Sequence, residues 1–203
     1  MTSRRHFLTT SALAAAGLTT HSFAQNTTPT LSNDRIKLSL KIGMVKFGAT
    51  PDEKVKGIKA LGYDGIELNS PGGLSKKAFL AAAQKYQFPI HGMVDSSHWK
   101  VPLSSPSEET REQALKDLLQ AIDDSHFCGG SAVLIVPAVV KGETSHQQAW
   151  DRSIDILQRA IPHAAQKGQH ILIENVWNNF LYDPRGKNNQ SADLLKNYID
   201  ECN

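Results

Sequence analysis

The chain has 203 residues, of which 40% are hydrophobic and 21% charged, and this composition excludes disordered and fibrous proteins. Residues 1–24 hold two of the 22 basic residues and no acidic residue, so the remainder is formally neutral. A neutral domain lacks the basic surface of a nucleic-acid binder, and no nucleic-acid partner is expected.

Residues 1–24 are typical of a twin-arginine signal peptide. Arg4 and Arg5 precede a weakly apolar run that ends at Leu18, and a small-residue cleavage site ends at Ala24. We expect the twin-arginine export machinery to deliver the protein to the periplasm. The apolar run, at about 12 residues, is too short for a stable membrane anchor. The alternative is a chance arginine pair on a disordered tail.

Residues 25–36 form a polar linker, and residues 37–203 alternate between strand and helix patterns. Apolar runs predict five strands, at Leu40 to Phe47, Tyr63 to Asn69, Pro89 to Val94, Ala132 to Val136 and Ile171 to Glu174. Helix starts with capping residues predict five helices, which begin at Thr50, Ser75, Ser107, His146 and Ser191.

Five strand and helix units in strict alternation indicate an α/β fold with a parallel sheet. A doubly wound sheet is disfavoured because Phe47-Gly48-Ala49-Thr50 is not a phosphate-binding loop. The (β/α)₈ TIM barrel is favoured, although it takes eight strands and about 250 residues. The sequence therefore predicts an incomplete barrel with about five of eight units, an N-terminal fragment or truncated gene product whose fifth strand has a free edge.

Polar residues follow the predicted strands, where a barrel gathers its site. They are Lys46, Glu67, Asn69, Asp95, His98, Glu143, Glu174, Asn175 and Asn178. Their oxygen and nitrogen atoms suit a hard or borderline divalent cation.

Each candidate also has a structural interpretation. An ion pair with Lys46 or a cap on a neighbouring loop explains Glu67 equally well. A surface position explains His98 equally well, and a solvent-exposed charge explains Glu143. Trp99 and Trp177 either pack or stack on the apolar face of a sugar. Cys128 is interpreted as a buried core residue, and its pairing with Cys202 is open.

Four motifs at the strand ends resemble the sugar phosphate isomerase/epimerase family, which has the xylose-isomerase-like barrel and is related to endonuclease IV. The motifs are Gly62-Tyr63-Asp64-Gly65-Ile66-Glu67-Leu68, His98-Trp99-Lys100-Val101-Pro102-Leu103-Ser104, Val133-Leu134-Ile135-Val136-Pro137 and Ile173-Glu174-Asn175-Val176-Trp177-Asn178. The resemblance covers roughly residues 37–203 and does not identify a substrate.

The resemblance implies one divalent metal, Mn²⁺, Mg²⁺ or Co²⁺. Family members bind it through a Glu on strand five and through ligands on strands six, seven and eight. Only the first ligand has a counterpart here, Glu174, so these residues alone are expected to be inactive. Residues 185–190 are an insertion relative to the family pattern.

The resemblance further implies an isomerase or epimerase that acts on a keto-sugar through a cis-enediolate. Glu174 and His98 are the catalytic candidates, and Glu174 is also the metal ligand. The substrate-binding candidates are Lys46, Glu67, Trp99, Glu143, Trp177 and Asn178. Export favours an unphosphorylated sugar. The alternatives are a non-catalytic carbohydrate-binding protein and an endonuclease-IV-like phosphodiesterase, and a homo-oligomer is left open.

Overall fold

Strands and helices alternate in the computed structural model, which describes residues 36–72, 75–176, 178–183 and 191–203. The strands are β1 (Ser39–Lys41), β2 (Gly65–Ser70), β3 (Ile90–Asp95), β4 (Ala132–Ile135) and β5 (His170–Ile173). The helices are α1 (Pro51–Ala60), α2 (Lys76–Tyr86), α3 (Glu108–Phe127), α4 (His146–Gln166) and α5 (Asp193–Cys202). The proposed signal peptide and most of the linker lie outside the described residues.

The five strands form one parallel sheet in the order β1-β2-β3-β4-β5. Neighbours in the chain are thus neighbours in the sheet, and helices connect them as in a (β/α)₈ barrel. The predicted α/β fold is confirmed, with five consecutive units of the barrel pattern in the described residues.

The prediction that the first strand extends to Phe47 is wrong. The strand ends at Lys41 and a 3₁₀ turn follows at Ile42–Met44. The Phe47 ring instead packs against Gly57 of α1, so closely that a Cβ atom on Gly57 would overlap it. The Lys54 ammonium donates to the Phe47 carbonyl at 2.9 Å. Contacts with α1 therefore draw this segment out of the sheet.

The predicted helix starts are confirmed for the first four helices. Thr50 and Glu53 form a capping box at α1, and the Ser75 and Ser107 hydroxyls accept hydrogen bonds from the first turns of α2 and α3. The fifth helix starts later than predicted, at Asp193 instead of Ser191. No helix in the described part of the chain is long and apolar enough to span a bilayer.

The core lies between one face of the sheet and the helices. Its fully buried members include Ile58, Ile66, Leu68, Phe79, Met93, Leu118, Ile122, Ile135 and Ile156. Cys128 and Cys202 are buried and free, and burial raises the pKa of each thiol to about 11. The structural interpretation of Cys128 is confirmed.

The face of the sheet opposite the helices, here called the inner face, carries polar side chains. The pairing register aligns Lys41, Glu67, Gly92, Ala132 and His170 across the five strands. Residues that are partners in a parallel sheet project from the same face. The inner face is therefore where side chains of β1, β2 and β5 can act together.

Candidate functional site

Glu67 lies on the inner face in the middle of a charged group. Its side chain is 18% exposed, and its Oε2 atom is 3.9 Å from Nε2 of His91. Burial raises the pKa of Glu67, the charges of His91 and Lys41 oppose this, and the negative charge of Glu174 adds to the rise.

Glu174 follows β5 directly, and its backbone N–H donates to the carbonyl of Ile135 at 2.8 Å. This bond continues the β4–β5 ladder by one residue and fixes the direction of the half-buried side chain. Because His170 pairs in register with the row of residues that includes Glu67, alternation along β5 places Glu174 on the inner face as well. That Glu67 and Glu174 form one site stays a prediction.

His98 is almost completely buried, with 3% of its surface exposed, in the loop after β3. Its Nδ1 atom accepts a hydrogen bond from the backbone N–H of Val136 at 3.2 Å. Burial lowers the pKa of His98 to about 4, and the charge of Lys41 adds to this. The ring is therefore neutral at pH 7 with its proton on Nε2, which makes it a hydrogen-bond donor.

Trp99, Lys46 and Glu143 are exposed, and their substrate-binding roles stay predictions. The Trp99 ring is 50% exposed and makes an edge contact with the His98 ring at 5.5 Å between centroids. Lys46 donates to the carbonyl of Gly43 at 3.0 Å, and among the described residues the ion pair of Glu67 is with His91 instead of Lys46. Glu143 is exposed in the β4–α4 loop.

Asn178 joins two loops through its side-chain amide. Its Nδ2 donates to the carbonyl of Ala138 at 2.6 Å, and its Oδ1 accepts from the backbone N–H of Phe180 at 3.1 Å. The amide thus holds the β5–α5 loop against the β4–α4 loop. Its sugar-binding role stays a prediction, and Trp177 lies outside the described residues.

Two residues of the charged group were missed by the sequence-based site prediction, Lys41 and His91. Lys41 pairs in register with Glu67, and His91 lies beside a register shift between Ile66 and Glu67. Alternation along each strand was the available signal, but it indicates a face only when the strand ends and register are known.

Asp95 at the end of β3 anchors the loop that carries His98. It is 1% exposed, and its Oδ1 accepts from the N–H and hydroxyl of Ser97 at 3.0 and 2.8 Å. Its buried Oδ2 has no hydrogen-bond partner among the described residues. Burial raises the pKa of Asp95 to about 6, while the bonds from Ser97 oppose the rise.

We expect Asp95→Asn to stabilise the protein at pH 8 by about 3 kcal/mol, because the pKa of Asp95 rises from 3.8 to about 6 and a shift of one pKa unit corresponds to about 1.4 kcal/mol. Between pH 3.8, which is the ordinary pKa of Asp, and about pH 6, Asp95 keeps its proton in the folded state but has released it in the unfolded chain. The wild type therefore loses stability as the pH rises through this window, and Asn carries no such penalty. Urea unfolding at pH 4 and pH 8 measures the difference, which should be near zero at pH 4. Equal differences at both pH values would contradict the assignment.

The described residues do not by themselves fit a metal ion. They contain no group of three or more His, Cys, Asp and Glu side chains arranged to hold one. Glu174 alone cannot fix the geometry of a metal, which needs several protein ligands. The resemblance implies that Glu174 is a metal ligand, but the described residues do not supply the further ligands that such a site needs.

A parallel sheet with helical crossovers and polar groups at its strand ends defines an α/β protein of the barrel type. The chain belongs to the xylose isomerase-like TIM barrel family, whose model matches residues 55–203. Comparison with curated protein sequences gives no significant match.

Several solved structures share this fold. The D-allulose 3-epimerase of Methylomonas sp., solved with D-allulose, has a TM-score of 0.59 and 20% identity over 75% of this chain and 52% of that one. The 3-keto-D-glucoside 4-epimerase of E. coli has a TM-score of 0.65 and 17% identity over 82% of this chain and 63% of that one. The D-psicose 3-epimerase of Clostridium cellulolyticum H10, solved with D-tagatose, has a TM-score of 0.65 and 15% identity, covering 83% of this chain and 60% of that one.

At these sequence identities the three structures show a shared fold, and no residue role is transferred from them to this chain. The chain spans between about half and two thirds of the length of these three structures.

Proposed function

We propose that this protein is a sugar isomerase or epimerase that acts on an unphosphorylated keto-sugar. The observation that carries the proposal is the placement of two carboxyl groups on the inner face, Glu67 within β2 and Glu174 directly after β5. Family membership and epimerase neighbours of the same fold support it. Such enzymes must move a proton on the carbon beside a carbonyl, and two carboxyl groups on one face, one of them with a raised pKa, suit that task.

In the proposed reaction, Glu174 removes the proton from the carbon next to the substrate carbonyl. Glu67, whose pKa is raised, retains a proton more readily and returns one to the resulting cis-enediolate. The two carboxyl groups thus divide the roles of base and acid. No step in this scheme passes through a metal, because the described donor set does not hold one.

His98 serves in this scheme as a neutral donor. Its Nε2–H donates to the oxygen that gains negative charge, and its low pKa keeps the ring in that form throughout the neutral range. The bond from Val136 to Nδ1 fixes the ring position before substrate binds. The exposed Trp99 ring provides an apolar face for the carbons of the sugar.

Isotope exchange on the protein isolated from its source cells tests the proposal. Keto-hexoses, including D-allulose and D-tagatose, are incubated with it in D₂O, and deuterium beside the carbonyl is followed by NMR. We expect enzyme-dependent exchange with at least one free keto-sugar and slower exchange with its phosphorylated form. Binding without exchange would support the non-catalytic carbohydrate-binding alternative, and neither binding nor exchange would overturn both.

We also propose export by the twin-arginine route, which rests on the pattern of residues 1–24. The N-terminus of the same protein preparation is the measurement. We expect the protein in the periplasmic fraction to begin at Gln25. A full-length cytoplasmic chain would contradict the proposal.

A further inference from the structure

The chain that follows β4 leaves the sheet but stays largely buried. Residues 136–140 belong to no strand or helix, yet Val136 and Ala138 are each 1% exposed. Buried backbone N–H groups need hydrogen-bond partners, and side chains of a neighbouring loop supply two of them here. Both acceptors, His98 and Ser104, lie in the β3–α3 loop.

One peptide group at the start of this segment links the two catalytic candidates. The N–H of Val136 donates to Nδ1 of His98 at 3.2 Å. The carbonyl of Ile135 accepts from the N–H of Glu174 at 2.8 Å. This N–H and this carbonyl belong to the same planar peptide unit, in which they point in opposite directions. Pairing of β4 with β5 also supports the backbone of Glu174, so the imidazole depends more strongly on the direction of this unit.

Ser104 holds the same segment at a second point. It is 2% exposed, and its hydroxyl accepts from the N–H of Val139 at 3.2 Å. A turn inside the β3–α3 loop, in which the N–H of Val101 donates to the carbonyl of Ser97 at 2.8 Å, folds the chain between His98 and Ser104. Two side chains of one folded loop therefore bind N–H groups three residues apart in the neighbouring segment.

We propose that Ser104 is a positioning residue that acts through His98. With the bond to His98 alone, the segment would turn about that bond, and the bond from Val139 to Ser104 sets the direction of the Val136 N–H. That N–H keeps Nδ1 of His98 an acceptor and leaves the proton of the neutral ring on Nε2. The effect on catalysis rests on the proposed function, whereas the effect on the ring is measured without a substrate.

The ¹⁵N NMR spectrum of the histidine rings tests the positioning directly. In wild-type protein from source cells fed ¹⁵N-histidine, we expect His98 to show one protonated and one unprotonated ring nitrogen, as a single tautomer does. Ser104→Ala removes the acceptor of the Val139 N–H, so the two signals should move toward each other as the second tautomer becomes populated. His98 signals that stay at their wild-type positions would overturn the proposal.

Ser105→Ala is the matched control for this spectrum. Ser105 is 8% exposed, and its hydroxyl also accepts one backbone N–H at 3.2 Å, but the donor is Ser107 on the same side of the loop. The variant loses an equal bond at the adjacent residue and no bond to the β4–α4 segment, so the His98 signals should be unchanged. A shift equal to that of Ser104→Ala would overturn the specific role of Ser104.

Kinetics with a keto-sugar that exchanges deuterium separate this inference from the proposed function. Ser104→Ala should lower kcat about tenfold with little change in KM, because a misdirected donor weakens binding of the transition state more than binding of the substrate. In a His98→Ala background the same change should lower kcat by about twofold or less, since Ser104 acts through the ring. An equal loss in both backgrounds would overturn the proposal. If no keto-sugar reacts with the wild type, the proposed function fails, and the NMR result alone decides the role of Ser104.

Discussion

Replacement of Glu174 by Gln is expected to lower kcat/KM for the keto-sugar by about a thousandfold, the typical contribution of a positioned general base. Gln has nearly the same shape but cannot take up the proton from carbon. The backbone bond from residue 174 to Ile135 does not involve the side chain, so the fold should be retained. The measurement is steady-state kinetics of the protein isolated from its source cells after the codon is changed, with circular dichroism as the check on folding.

The pH profile separates this role from a purely structural one. Burial is the main cause of the raised pKa of Glu67 and the charge of Glu174 adds to it, so removal of that charge should shift the residual activity that depends on protonated Glu67 slightly toward lower pH. Asp155→Asn is the matched control, because it makes the same carboxylate-to-amide change at a side chain 66% exposed on α4. Wild-type kinetics for Glu174→Gln, or an equal loss for Asp155→Asn, would refute the proposed role of Glu174.

The local features of the fold could be predicted from the sequence because their causes are local. Thr50, Pro51 and Glu53 set the start of α1 within four residues, and both bonds of the capping box are present. Continuous apolar runs likewise indicated strands that are covered by helices, and the parallel order followed from their alternation with helices. The end of β1 could not be predicted, since the fate of Phe47 depends on its tertiary contact with Gly57.

The candidate site could be predicted only in part for the same reason. Strand ends indicated Glu67, His98 and Glu174 as candidates for a common site, and their joint role stays a prediction. The state of His98, however, depends on Val136, which lies 38 residues along the chain, and Asn178 bonds to Ala138 across 40 residues. Lys41 and His91 were missed because the pairing register and its shift beside Glu67 determine which side chains meet.

Gly92 is the point where β3 approaches β4 too closely for any side chain, and Gly92→Ala is expected to destabilise the protein by about 4 kcal/mol. A Cβ atom on Gly92 would lie within 3.0 Å of the Ala132 carbonyl oxygen, which is backbone and cannot rotate away. The two strands must therefore separate, and the register pair Gly92–Ala132 is lost. Separation also moves the His98 loop from Val136 and removes the bond that orients the imidazole.

Thermal unfolding followed by circular dichroism measures this effect, and a fall in Tm of about 10 °C or more is expected for a domain of this size. Gly62→Ala is the control, since Gly62 has a φ of +88° but no atom within 4 Å of the added Cβ. In that variant only backbone strain opposes folding, and the free energy of unfolding should fall by about 1 kcal/mol. If Gly92→Ala were no less stable than Gly62→Ala, the close approach of β3 and β4 would not be a constraint on the fold, and the orientation of His98 would not depend on it.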